Sequence, residues 1–293
     1  RALLRFHHDS PDKFTFTTYP YIPPTSGKTV QMAKQAIAAQ SLCEKGTLRV
    51  RQVVGVFQYY AQAVDSNFLM SLNTVASQQD NVTDRTAALV THILNYAATF
   101  PDAVATYNAS DMILHIHTDA SYLSEPDAKS RAGGFFFLTD NNADPTKAPT
   151  NAPICILCQI FKNVLASVSE AELCAMFENA QKGAIVRSIL WDLDHKQPPT
   201  PIRTDNTTAE GIIHDTFKQV RSRTIDMRYH WLKDRSNMGQ FYVYWGPGDG
   251  NLGDYYTKHH PPWHQFKMRP IVLNNPAGTQ YYSSKGVLVV PRR

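Results

Sequence analysis

The sequence predicts an α/β protein: a mixed five-stranded sheet flanked by helices, preceded by a small helical unit. Three observations lead there. Apolar spacing is helical through residues 49–100 and switches to alternation at Met112. The first three strand candidates after the switch follow one another with no helix between them, and the later two are separated by helical segments. Strands joined by short turns pair antiparallel, whereas strands joined through helices add in parallel.

The elements can be justified in order. Residues 1–48 are mixed, and Pro20, Pro23 and Pro24 among Thr and Tyr mark an extended connector. In VRQVVGVFQYYAQAV the apolar positions Val50, Val53, Val54, Phe57 and Tyr60 or Ala61 have helical spacing. Phe68–Ala76 supports a second helix, and Thr83–Thr99 a third that buries Ala87, Leu89, Val90, Ile93, Leu94 and Ala97. Pro101 closes this unit, which takes in residues 49–110.

The sheet domain covers residues 111–262. MILHIHTDASY alternates as a strand, GGFFFLTD is a second, and PICILCQIF a third after a Pro- and Asn-rich loop. A helix runs from about Val168 to Lys182 and either continues or breaks at Gly183 on its way to Asp194. PIRTD is a short fourth strand. TTAEGIIHD and TIDMRYHWLKDR are helices, FYVYWG is a fifth strand stopped by GPGDG, and LGDYYTK is a last short helix. Residues 263–293 read as a tail, with a weak strand signal in GVLVV.

Composition narrows the function classes. Hydrophobic residues make up 43% and charged residues 18%, a balance that excludes a disordered chain. A net charge of +4, from 29 Lys and Arg against 25 Asp and Glu, permits a polyanionic partner without demanding one. Four cysteines are too few for a disulfide framework, and Cys155 and Cys158 form one C-x-x-C with no second ligand pair for zinc, so they read as reduced strand cysteines. No apolar run reaches the 18 residues of a membrane span. RALLRFHHDS lacks a signal-peptide pattern and reads as an interior piece of a longer chain.

Four acids fall at telling places on this plan. Asp119 is placed at the end of the first strand, Glu172 in the first turns of the following helix, Asp205 at the end of the fourth strand and Asp254 in the last helix. Ligand sites of open sheets collect at strand ends beside helix termini. Each acid alone has an ordinary structural use: a strand-ending turn, a helix cap, or a charge favoured by a helix dipole. Ser167 with Glu170 supplies the capping pair, which leaves Glu172 free. All four on the right elements in one order point instead to a convergent site. Converging carboxylates repel, and oxygen ligands suit two Mg²⁺ ions, with Mn²⁺ as a substitute.

TDASY, SEAELCAM, RTDN, TIDMRYHWLKD and LGDYYTK, in that order over about residues 112–260, resemble the ribonuclease H domain of copia-type LTR retrotransposon reverse transcriptases. Upstream, VVGVFQYYAQAVD and ILNYAATFPDA look like the segment that joins polymerase to nuclease in such polyproteins. The resemblance implies a ribonuclease H-like fold and a metal-dependent endonuclease that cuts the RNA strand of RNA–DNA hybrids. Asp119, Glu172, Asp205 and Asp254 would be its catalytic metal ligands. It also implies an upstream polymerase domain as partner, no membrane, and an intracellular place, cytoplasmic or nuclear. Arg221, Arg223, Arg228, Lys258 and His259 are secondary candidates for nucleic-acid contact. His115 and His117 share a face with Asp119 by period two, so they either pack or touch substrate; Trp231 and Trp245 read as core residues.

Two departures carry consequences. No Tyr-x-Asp-Asp motif is present, so polymerase activity is not expected. The loop GPGDGNLG lacks the His that many cellular ribonucleases H place there, and the nearby His259 and His260 are the remaining candidates for that role. The alternative function is an inactive ribonuclease H-fold scaffold that binds nucleic acid. A DNA-cutting integrase is a third class; it fits less well, because the helical acid here lies between the third and fourth strands.

Overall fold

The computed structural model describes residues 2–8, 14–22, 39–142, 144–214 and 223–275. In chain order the elements are α1 (Ala2–Arg5), α2 (Glu44–Ala63), α3 (Leu69–Ala76), α4 (Asp84–Thr99), β1 (Ile113–Glu125), β2 (Lys129–Thr139), β3 (Pro153–Ile160), α5 (Val168–Asp192), β4 (Thr200–Thr204), α6 (Thr207–Ile213), α7 (Arg223–Asn237), β5 (Phe241–Trp245) and α8 (Pro262–Val272). They form two compact units. One gathers the described residues up to Thr106 with those from His259 onward, and the other runs from Tyr107 to Lys258.

The helical unit packs most of the faces that the apolar spacing marks, but Ala87 and Leu89 of α4 are only half-buried while the polar Thr86, turned inward by its cap, is buried. Val53, Phe57 and Ala61 of α2, Leu72 and Val75 of α3, and Val90, Ile93 and Leu94 of α4 are buried. Thr83 caps α4: its hydroxyl accepts from the Thr86 N–H at 3.4 Å, and the Thr86 hydroxyl accepts from the Thr83 N–H at 3.2 Å. The stretch read as a tail from residue 263 begins instead with helix α8. Its buried face is Gln265, Arg269 and Val272, so there is no apolar stripe to announce it. Pro262 sits in the first turn, where a missing N–H costs nothing. Residues 23–38 of the connector and the GVLVV segment lie outside the described residues.

The sheet unit has strand order β3-β2-β1-β4-β5. β1–β2 and β2–β3 are antiparallel, and β1–β4 and β4–β5 are parallel. This is the mixed α/β architecture of ribonuclease H-like folds. Leu114, Ile116, Ala132, Phe136, Ile202, Phe241 and Val243 form the sheet side of the core under α5, which contributes Leu173, Met176, Phe177 and Ala180. α5 runs unbroken through Gly183. A Cβ there would lie 2.6 Å from Ile116 Cδ1, so this glycine marks a close helix–sheet approach rather than a break. Among the described residues no helix is long and apolar enough to cross a membrane.

Candidate metal centre and active site

Asp119 lies inside β1, opposite Gly133 of β2, rather than at the strand's end. It stands two residues past the last β1–β4 pair, His117 with Arg203. β1 continues beyond it to Glu125 because β2 still pairs there, whereas β4 does not.

Glu172 is presented by α5. Ser167 caps that helix, its hydroxyl accepting from the Glu170 N–H at 3.1 Å, and Glu170 turns back to accept from the Ala166 N–H at 2.7 Å. Glu172 takes no part in the cap and points inward, 5% exposed. Asp205 follows directly on β4. Asn206, not Asp205, caps α6 by accepting from the Ala209 N–H at 2.9 Å, which leaves the Asp205 carboxylate free of that duty.

Ligand oxygens of Asp119, Glu172 and Asp205 all lie within 4.8 Å of one another. Asp254 stands outside this group, at the start of a short 3-10 helix, Asp254–Tyr256, where a last short helix was expected. Its carboxylate accepts from Lys258 Nζ one turn on. The four acids nevertheless feel one another. Burial pushes the Asp119 carboxyl up to about 7, and the charges of Asp254 and Asp205 add to the rise, while the Thr257 hydroxyl and Lys258 oppose it. Glu172 is held well above the usual carboxylate range by burial first, then by Asp119 and Asp205. Asp205 is raised as well, chiefly by burial.

The donor set fits a divalent cation. All its atoms are carboxylate oxygens, hard ligands suited to Mg²⁺ or Ca²⁺. One buried oxygen, Glu172 Oε2, has no hydrogen-bond partner. A buried acceptor left open among like charges is costly unless a cation completes it.

Several residues that sequence reasoning passed over build the seat of this site. Segment 251–257 docks on β1 and β2. Asn251 Nδ2 donates to the Thr118 carbonyl at 2.8 Å, the Leu252 N–H donates to His117 Nδ1 at 3.2 Å, and the Thr257 hydroxyl donates to Asp119 Oδ2 at 2.8 Å. The Gly133-Gly134 pair makes room on both faces of β2. A Cβ at Gly133 would lie 2.3 Å from the Gly253 carbonyl oxygen, and one at Gly134 only 1.7 Å from Asn179 Oδ1 of α5. Asn179, fully buried, donates to Thr118 Oγ1 at 2.9 Å and to the Gly133 carbonyl at 3.0 Å, fixing the helix that carries Glu172. Paired glycines inside a strand were the signal available for this close approach. Arg203 donates to the Pro247 carbonyl at 2.6 Å and clamps the Gly-rich loop, so that Gly248 packs beside Asp205 Oδ2.

The secondary candidates are scattered. Lys258 joins the site through Asp254. His259 belongs to the helical unit, where it stacks on Tyr19 at 3.7 Å and meets Thr74 Oγ1 at 3.2 Å. Arg228 lies against α5, donating to Cys174 Sγ at 2.7 Å with its guanidinium over the Phe177 ring. Arg221 lies outside the described residues, and Arg223 begins α7, its side chain not among those described. His115 and His117 are buried and packed on Phe137, so burial holds both below the usual imidazole range. Trp231 packs edge-on against Phe177 as expected of a core residue. Trp245 does not follow that expectation: it is 45% exposed, because β5 ends there, and its indole N–H donates to the Asp205 carbonyl at 3.0 Å. Cys155 and Cys158 are free thiols, and Cys158 Sγ sits 3.4 Å from the Tyr256 carbonyl and from Arg131 Nη1.

Fold and site together define a ribonuclease H-like α/β domain with an open carboxylate cluster. The chain is 23% identical over 194 residues to the Retrovirus-related Pol polyprotein from transposon TNT 1-94 of Nicotiana tabacum, a match that covers 65% of this chain. The chain therefore spans only 14% of that polyprotein's length. This match bears out the resemblance to retrotransposon polyproteins that the motifs carry. No protein-family model matches. Similar solved structures include an N-terminal ribonuclease H domain from Mycobacterium tuberculosis (12% identity, 50% of this chain, 91% of that one, TM-score 0.34). A ribonuclease H1 isolated from compost by a metagenomic approach gives 13% identity over 49% of this chain and 91% of that one, with TM-score 0.36. The prototype foamy virus protease-reverse transcriptase gives 12% identity over 50% of this chain and 20% of that one, with TM-score 0.32.

Proposed function

We propose that this chain is a metal-dependent endonuclease that hydrolyses the RNA strand of RNA–DNA hybrids, as the ribonuclease H part of a retrotransposon polyprotein with an upstream polymerase domain. The observation that carries this reading is the convergence of Asp119, Glu172 and Asp205 within 4.8 Å, with Glu172 Oε2 buried and unpartnered. Asp119, Glu172, Asp205 and Asp254 would hold two Mg²⁺ ions, or Mn²⁺ in their place. Ions held so supply a water nucleophile at neutral pH and neutralise charge on the leaving oxygen of a phosphodiester.

The chain's own residues do the rest. Thr257 orients the Asp119 carboxylate by its hydroxyl hydrogen bond. Ser167 and Glu170 close the N-terminus of α5 so that Glu172 stays turned into the site. The Arg203 clamp sets the wall beside Asp205. Asp119, pushed up to about 7, and Glu172, also raised well above the usual carboxylate range, hold protons that a cation must displace, so ion binding releases protons and tightens as pH rises. Selection of hybrid would come from the RNA 2′-OH groups and the shape of the duplex.

The test is cleavage of a labelled RNA strand annealed to DNA, in Mg²⁺, Mn²⁺ or EDTA, beside duplex DNA of the same sequence. Hybrid cut only with metal, and lost in Asp119→Asn, supports the reading. Saturated hybrid binding without cutting would make the domain an inactive scaffold, and preferential cutting of duplex DNA would make it a different nuclease.

A further inference from the structure

The four acids are not equivalent. Asp119, Glu172 and Asp205 face one another, and among the described residues no cation completes Glu172 Oε2, which is buried and unpartnered. Asp254 lies outside that group, although its charge bears on Asp119 more than that of Asp205 does, and it already has a cation: Lys258 Nζ reaches back across the 3-10 turn to its carboxylate. That ammonium is also close enough for its charge to act on Asp119 and Asp205. Its neighbour Thr257 is committed to Asp119 by its hydroxyl, so the two consecutive side chains, Thr257 and Lys258, hold one acid each.

We infer that Lys258 is a tethered counter-cation for Asp254 that a second divalent ion must displace, so that the two ion sites fill in order, Asp119–Glu172–Asp205 first and the Asp254 side second. The inference rests on the metal-dependent reading above and adds a residue that sets the order. A lysine ammonium is a point charge on a flexible stem, suited to this exchange because it can leave without disturbing the backbone. Its side chain is 54% exposed and that of Asp254 29%, so solvent screens the pair. A pair of this kind is worth at most about fivefold in an equilibrium. The ammonium also repels an arriving dication, so its removal should tighten the second site by roughly three- to tenfold. Once displaced, Lys258 is free to meet a phosphate, which joins its two candidate roles in sequence.

The experiment is calorimetric titration of the full chain with Mn²⁺, without nucleic acid, for the parent, Lys258→Met, Lys258→Arg and Asp205→Asn. The parent should bind one ion more tightly than a second. Lys258→Met should tighten only the weaker event by three- to tenfold, Lys258→Arg should keep the parental pattern, and Asp205→Asn should weaken the tighter event. Two equal sites in the parent, an unchanged weaker site in Lys258→Met, or one ion bound by both proteins would overturn the role of Lys258 while leaving the metal reading standing. No Mn²⁺ binding at all, or a tight site indifferent to Asp205→Asn, would instead overturn the metal reading and this inference with it.

Discussion

Each unit buries charge, and the two close it differently. In the helical unit Asp65, fully buried, meets Arg269 Nη1 at 2.6 Å, and the same nitrogen donates to the Tyr96 hydroxyl at 2.9 Å while the guanidinium lies 4.8 Å from the Phe100 ring centre. In the sheet unit Asp119 and Glu172 are also buried, yet their carboxylates face each other and Asp205, with ligand oxygens within 4.8 Å. The first arrangement is complete and holds α8 to the turn after α2. In the second, protons or a cation bound from outside the chain relieve the repulsion that the acids share. Burial of charge alone therefore says little; whether the protein provides the counter-ion separates a structural pair from a site.

That contrast can be broken or sharpened by experiment. The largest effect should be on chemistry. Asp119→Asn or Asp205→Asn should lower hybrid cleavage by about 10⁴-fold, with hybrid binding largely intact, read by single-turnover cleavage beside a binding titration. Next comes stability, where one substitution type should act in opposite directions. Asp65→Asn strands the buried Arg269 and should destabilise its unit by about 3–5 kcal/mol, whereas Asp119→Asn relieves repulsion and should raise the melting temperature in EDTA.

The same comparison predicts a pH dependence. Asp119 and Glu172 bind protons more tightly when folded than when unfolded, so their contribution to stability is greatest below the ordinary carboxylate range. It is lost as pH rises, through about 7 for Asp119 and above the usual carboxylate range for Glu172. In EDTA the melting temperature of the sheet unit should fall as pH rises from about 4 to about 8. Saturating Mg²⁺ should reduce that fall, and Asp119→Asn should flatten part of it.

Smaller effects probe the seat. Gly133→Ala drives a methyl into the Gly253 carbonyl and should cost about 1–3 kcal/mol while displacing the Asp254 turn, detectable as weaker Mn²⁺ binding. Thr257→Val removes the hydroxyl that bonds Asp119 and also lies 2.9 Å from the Asp254 carbonyl, and should cost about 1 kcal/mol, with cleavage reduced about fivefold.

The strand plan and the cap that leaves Glu172 free are legible in the sequence because both are local signals. Alternation after Met112 and the S-x-x-E pair at Ser167 and Glu170 each lie within a few residues, and both correspond to structure. The seat is not local. Asn251, His117, Asn179 and Gly133 act across 46–135 residues of chain, and none carries a pattern of its own beyond the paired glycines. Helix α8 was hidden because a polar face, Gln265 and Arg269, is what it buries. Trp245 misled because an indole in an apolar run reads as core, whereas β5 leaves both Tyr242 and Trp245 about half exposed.

The most direct test of the open carboxylate cluster is cleavage of the RNA strand of a hybrid by the parent and by Asp205→Asn, each in Mg²⁺ and in EDTA. The parent should cut in Mg²⁺ alone, and the variant should cut in neither. Cutting by Asp205→Asn at the parental rate, or cutting by the parent that EDTA leaves unchanged, would contradict the account.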